Sequence, residues 1–146
     1  MRLFRTTLPG PDLAAPFAMP TLVAALRAER IGPASPYLEG IVWPAEGDQN
    51  SNHLLYVAFP ECAGMLFCWR SPAGEDHVSC HQPAKLDHPV TSVLGDRFPR
   101  GSLLPLRRAW PVFAEFADDP PVPRAASPGC RWPTSPCWTG CVDADR

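Results

Sequence analysis

His53-Leu54-Leu55-Tyr56-Val57-Ala58-Phe59 is a run of β-forming residues with no polar side chain after His53 except the phenol of Tyr56. Side chains alternate across an extended chain, so Leu54, Tyr56 and Ala58 share one side and Leu55, Val57 and Phe59 the other. Both faces of this strand are apolar, so helices should cover one of them. That requirement points to an α+β protein.

Outward from this run the same chemistry recurs. Tyr37–Trp43, Met65–Arg70 and a more polar window, His77–His81, also read as strands. Between them lie 44–52, 60–64 and 71–76, all dense in Pro, Gly, Asn, Asp and Ser. Connections this short favour antiparallel neighbours, so the centre of the chain is predicted to be a meander.

Two helices are expected. Thr21 can cap Leu22–Arg30, with Leu22 and Leu26 on one face and Gly32 placed to end the helix. Pro105–Ala117 repeats Leu106, Trp110, Phe113 and Phe116 near the helical period, which makes an aromatic stripe suited to packing on a sheet. Pro111 sits inside it, so this helix either kinks or begins its regular part near Arg108. The first eighteen residues read as an irregular lead-in, and Arg131-Trp132 as a short closing strand. The predicted fold is α+β: an antiparallel meander sheet with one N-terminal and one C-terminal helix packed on one face. Residues 1–132 form a single domain in this reading, and 133–146 an irregular tail.

Composition narrows the function. The 146 residues suit one core, and 45% hydrophobic against 19% charged residues is a globular balance. Twenty prolines predict short elements and much loop. A net charge of −2 lacks the broad positive field of nonspecific nucleic-acid binding, so no direct nucleic-acid partner is expected. The longest apolar run, Cys62–Trp69, is far short of the roughly 20 residues that span a bilayer. Pro9-Gly10-Pro11 interrupts the apolar start before an export signal accumulates, so the expected location is cytoplasmic, with no membrane partner. In that compartment the six cysteines are expected as thiols.

Cys62, Cys68, His77, Cys80 and His81 are competent zinc ligands, but no Cys-x-x-Cys knuckle is present and the adjacent Cys80 and His81 point to opposite faces of a strand. Cys130, Cys137 and Cys141 lack an obvious fourth ligand other than Asp143 or a distant histidine. No metal and no cofactor are expected. No glycine-rich phosphate loop appears, and Glu115, Asp118 and Asp119 read as a solvated helix exit rather than an acid/base pair. A cysteine-dependent enzyme using Cys80 with His53, His77 or His88 is the alternative from another functional class, and a zinc-stabilised adaptor is a weaker third.

The ordered pattern Phe98-Pro99-Arg100-Gly101-Ser102, Leu104-Pro105-Leu106, Arg108-Ala109, Phe113, Glu115-Phe116 and Arg131-Trp132 resembles the C-terminal part of immunity protein family one of bacterial polymorphic toxin systems. Gly64-Met65-Leu66-Phe67 and Gly74-Glu75-Asp76 are similar to that family's middle region. After the helix the chain departs from the family, with Ala117–Pro121 in place of a Thr-Gly and an Arg-Pro turn. The resemblance implies a cytoplasmic α+β protein that performs no chemistry and occludes a cognate toxin, often a nucleic-acid deaminase or nuclease. The residues it rests on are structural: Phe98, Leu106, Phe113, Phe116 and Trp132 are expected to pack the helix on the sheet. Contact with a basic toxin is expected from acidic turns, Glu46 with Asp48 and Glu75 with Asp76.

Overall fold

The computed structural model describes residues 2–29, 31–32, 34–50, 52–62, 64–70, 76–79, 81–85 and 88–118. Its elements are β1 (Phe4–Thr6), α1 (Met19–Ala28), β2 (Glu39–Pro44), β3 (His53–Phe59), β4 (Gly64–Arg70), β5 (Asp76–Val78), β6 (Pro89–Thr91), β7 (Arg97–Pro99), β8 (Leu104–Pro105) and α2 (Leu106–Ala117). Trp132, Cys80, Cys130, Cys137, Cys141, Glu75 and the stretch 133–146 lie outside the described residues.

The apolar run is β3, with the bounds its composition predicts, and it pairs along its whole length with β4, from His53 opposite Arg70 to Phe59 opposite Gly64. The sheet order is β1-β2-β3-β4-β5, antiparallel throughout, with β8 also paired to β4. This is the expected meander, extended at both edges.

Both faces of β3 are covered, by different means. Leu54, Tyr56 and Ala58, with Met65, Phe67 and Trp69 of β4, face α1 and α2 in the larger core. There the ring of Phe113 meets Phe67 edge-on at 5.3 Å and Tyr56 at 6.0 Å, while Phe116 meets Trp69 at 6.1 Å. Leu55, Val57 and Phe59, with Leu66 and Cys68, face a second core closed by Val90 and Phe98 of the β6–β7 hairpin. Phe98 therefore packs edge-on against Phe59, at 6.0 Å, on the face away from the helices, and not under α2 as expected. The prolines next to Val90 and Phe98, Pro89 and Pro99, sit opposite each other in a two-stranded ribbon. A ribbon with two outer edges tolerates residues that cannot donate to a ladder.

Three other local expectations shift. α1 starts at Met19 rather than after Thr21, because Pro20 fits a first turn that needs no N–H and Met19 is itself core; Thr21 donates its N–H to Ala18 instead of capping. It ends before Gly32, at Glu29, whose backbone turns extended. α2 begins at Leu106, runs through Pro111 on its exposed side, and buries Ala109, Val112, Phe113 and Phe116 while Leu106 stays 37% exposed.

The N-terminal segment is ordered by pairing rather than by local propensity: Phe4 exchanges backbone hydrogen bonds with Phe17 and lies under Phe116 at 5.9 Å. At the opposite edge, β4 carries two short partners. β5 pairs with Cys68–Arg70 and β8 with Gly64–Met65, and Ser79 fills the interval. The buried Ser79 hydroxyl accepts the Phe67 N–H at 3.0 Å and donates to the Ser102 carbonyl at 2.6 Å, while the Ser79 N–H donates to the Phe67 carbonyl. β8 can lie this close only because position 64 has no side chain: a Cβ there would meet the Leu104 carbonyl oxygen at 2.9 Å.

Candidate functional site

In a meander, alternate connections fall at the same end of the sheet. The end of β2, the start of β3, the end of β4 and the start of β5 therefore share one end, where Glu46 and Asp48 of one expected toxin contact and Asp76 of the other are placed. Glu46 projects there, 69% exposed, with one carboxylate oxygen 3.5 Å from Nε of Arg2. Asp48 turns inward on its own loop and accepts the Asn50 N–H at 3.0 Å. Asp76 stands opposite Arg70 in the β4–β5 ladder, and Glu75 lies outside the described residues. Arg2, Arg5 and Arg70 share this end, so its charge is mixed.

Two histidines of the alternative thiol reading, His53 and His77, are held structurally. Nδ1 of His53 lies 2.7 Å from the Gln49 carbonyl. His77 is buried beside Trp69, whose indole N–H donates to Asn52 at 2.9 Å. His88 is exposed, and its carbonyl accepts the Arg100 N–H. Cys80 lies outside the described residues. Of the remaining candidate zinc ligands, Cys68 is buried in the second core and Cys62 is exposed. Among the described residues no three His, Cys, Asp or Glu side chains gather where they could hold one ion.

The other end of the sheet is different in kind. It is organised by the β3–β4 turn, Pro60–Cys62, around which three concavities of the described surface open. The first is a slot of about 220 Å³ between the end of α1 and the start of α2, walled by Leu26, Ile31, Phe59, Met65, Leu106 and Trp110. Trp110 is fixed on both sides: it stacks on Phe113 at 6.4 Å, and the Arg27 guanidinium lies over its ring at 5.7 Å. The second is a shallow depression of about 280 Å³ on the far side of β8, bordered by Cys62, His81, Pro105 and Arg107. Partial burial, then Arg108 and Arg107, hold the His81 imidazole below its ordinary range, so it is neutral near pH 7. The third, a small concavity, runs from Pro60 to Val93 at the tip of the β6–β7 hairpin.

Three large apolar side chains stand out into solvent around this end: Leu106 beside the slot, and Val93 and Leu94, 42% and 59% exposed, on the hairpin tip. The tip is a tight turn: Gly95 adopts a positive φ of 94°, and Ser92 and Asp96 bond across it. It also brings Asp96 towards Glu39 of β2. Partial burial, then the Asp96 charge, raises the Glu39 carboxyl above its ordinary value. Such a group binds its proton more tightly when folded, so its contribution favours folding in acid and is lost as pH rises through the carboxylate range above 4.5. Glu39→Gln is expected to stabilise the protein at pH 7 by about 0.3 kcal/mol, small because water screens the pair, and to leave it unchanged at pH 3. Urea melts at the two pH values test this, and a loss of stability at pH 7 would contradict it.

This end was not legible from sequence, because its walls come from four separated segments and its apolar residues read locally as core. The spacing of Leu106 and Trp110 gave the one available signal. Among the described residues no helix is long and apolar enough to cross a membrane. No protein-family model matches the chain, and no curated protein or solved structure matches it either.

Proposed function

We propose that this chain is an immunity protein, which neutralises a cognate bacterial toxin in the cytoplasm by binding it one to one and covering its working surface. The toxin class implied by the sequence resemblance is a nucleic-acid deaminase or nuclease. The observation that carries a binding role is the open apolar slot with half-exposed Leu106 at its edge, at the end of the sheet where Val93 and Leu94 also stand exposed on the hairpin tip. An open apolar groove rimmed by polar residues is a common mark of a protein contact. The acidic turns at Glu46, Asp48, Glu75 and Asp76 are the competing contact, suited to a basic toxin.

Coexpression with the product of the adjacent gene tests the role. Growth should be restored and a one-to-one complex should copurify; persistent toxicity with no complex refutes the reading. Reversing charge at Glu46 and Asp48 together should weaken that complex steeply at low salt if the acidic turns are the contact, and leave it intact if the apolar end is.

A second reading, thiol chemistry, is favoured by one observation: exposed Cys62 and the neutral His81 border the same depression. It requires Cys62 to react with iodoacetamide at pH 7 at least about ten times faster than free cysteine. Reaction at the rate of free cysteine is the expected result for a binding protein and ends this alternative.

A further inference from the structure

We propose that the slot and the adjoining depression together receive an apolar–acidic segment of the partner protein, with a large side chain in the slot and a carboxylate against Arg107 and the first turn of α2. This inference rests on the protein-binding reading and gives it a recognition chemistry.

Size argues first. The slot itself, about 220 Å³, has room for one or two side chains, and the depression of about 280 Å³ beside it is open and shallow. The walls of the slot are aliphatic and aromatic, and Trp110 is already held between Phe113 and Arg27, so little ordering cost falls on binding.

Charge argues second. The slot and the depression meet at Gly64, which borders both, so a chain lying across β8 would touch each. Along that track stand Arg27 and Arg107, with Arg108 close enough to Arg107 that both act on the neutral His81; Glu29 beside Arg27 and Glu61 at the rim are the opposing charges, which leaves Arg107 and Arg108 as the excess. The first turn of α2 contains no acidic residue and no side chain caps it, since Pro105 occupies the cap position. Its backbone dipoles therefore add to the Arg107 charge. An excess of positive charge at Arg107 and the start of α2, beside an apolar slot, complements a segment that alternates large apolar and acidic residues.

The probe is an acetylated, amidated hexapeptide, Asp-Leu-Phe-Glu-Leu-Asp, compared with the same peptide carrying lysine at each acidic position, by NMR on the full ¹⁵N-labelled chain. The acidic peptide should move the signals of Ile31, Gly64 and the Trp110 indole and bind at least about tenfold tighter than the lysine form. Leu106→Asp and Arg107→Glu should each weaken it by about tenfold with an unchanged thermal midpoint, since both side chains are exposed. Equal affinity for the two peptides, or no shift at these residues, overturns the proposal. So do the same shifts produced by acetate alone, which would mark a simple anion site, or shifts that follow protein concentration without peptide, which would mark a second copy. If Leu106→Asp still forms the toxin complex, this inference fails while neutralisation stands; if the unaltered chain forms none, the underlying reading fails as well.

Discussion

Phe113→Ala is expected to remove about 3–5 kcal/mol of unfolding free energy, a large share of the roughly 5–15 kcal/mol that a domain possesses. The Phe113 ring is fully buried where α2 crosses the sheet, edge-on to Phe67 and Tyr56 and stacked against Trp110. Truncation forfeits that burial and leaves a hole that a β3–β4 pair hydrogen-bonded along its length cannot collapse to fill. Urea unfolding should show a lower midpoint with an unchanged slope. A cost of about 1 kcal/mol or less would mean that α2 is not seated on the sheet as described. The slot would suffer too, because Trp110 loses the ring against which it stacks.

Ser79→Ala and Ser102→Ala should have opposite consequences although both side chains are buried hydroxyls. Removing the Ser79 hydroxyl strands the Phe67 N–H and takes a donor from the Ser102 carbonyl, at about 1–3 kcal/mol for each buried group left unsatisfied. The Ser102 hydroxyl has no hydrogen-bond partner among the described residues, so its removal relieves a desolvated polar group and should be neutral or stabilising by up to about 1 kcal/mol. Hydrogen exchange at the Phe67 amide separates the two: protection falls in the first variant and persists in the second. Equal destabilisation by both would remove the special role given to Ser79.

What could be read in advance follows from where the information lies. β3 and β4 declare themselves because their composition and alternation are local, and α2 because Phe113 and Phe116 repeat with the helical turn. The β6–β7 hairpin was missed: its strands are three residues long, each carries a proline, and only Val90 and Phe98 point inward. β1 was missed because Phe4 is held by Phe17 and by Val42–Pro44, partners invisible to a local pattern. Leu106 was assigned to the helix–sheet core by its helical spacing and Phe98 by its place in the family-like pattern, yet Phe98 closes the other face and Leu106 is 37% exposed at the wall of the slot. Character fixes that a residue seeks cover, and topology decides which cover it finds. The β2–β3 turn was legible as a turn; that its end of the sheet is also the end where β5 begins required the strand order.

The divided outer edge of β4 bears on how the chain reaches this state. One part of that edge is closed by residues 76–79, the other only by residues 104–105, so the two closures form loops of very different length. A molecule that has zipped β2 through β5 still offers bare backbone groups at Gly64 and Met65, the kind of ribbon on which chains stick together. Arrival of the segment just before α2 masks them, and refolding at high concentration should lose most material in the interval before that step.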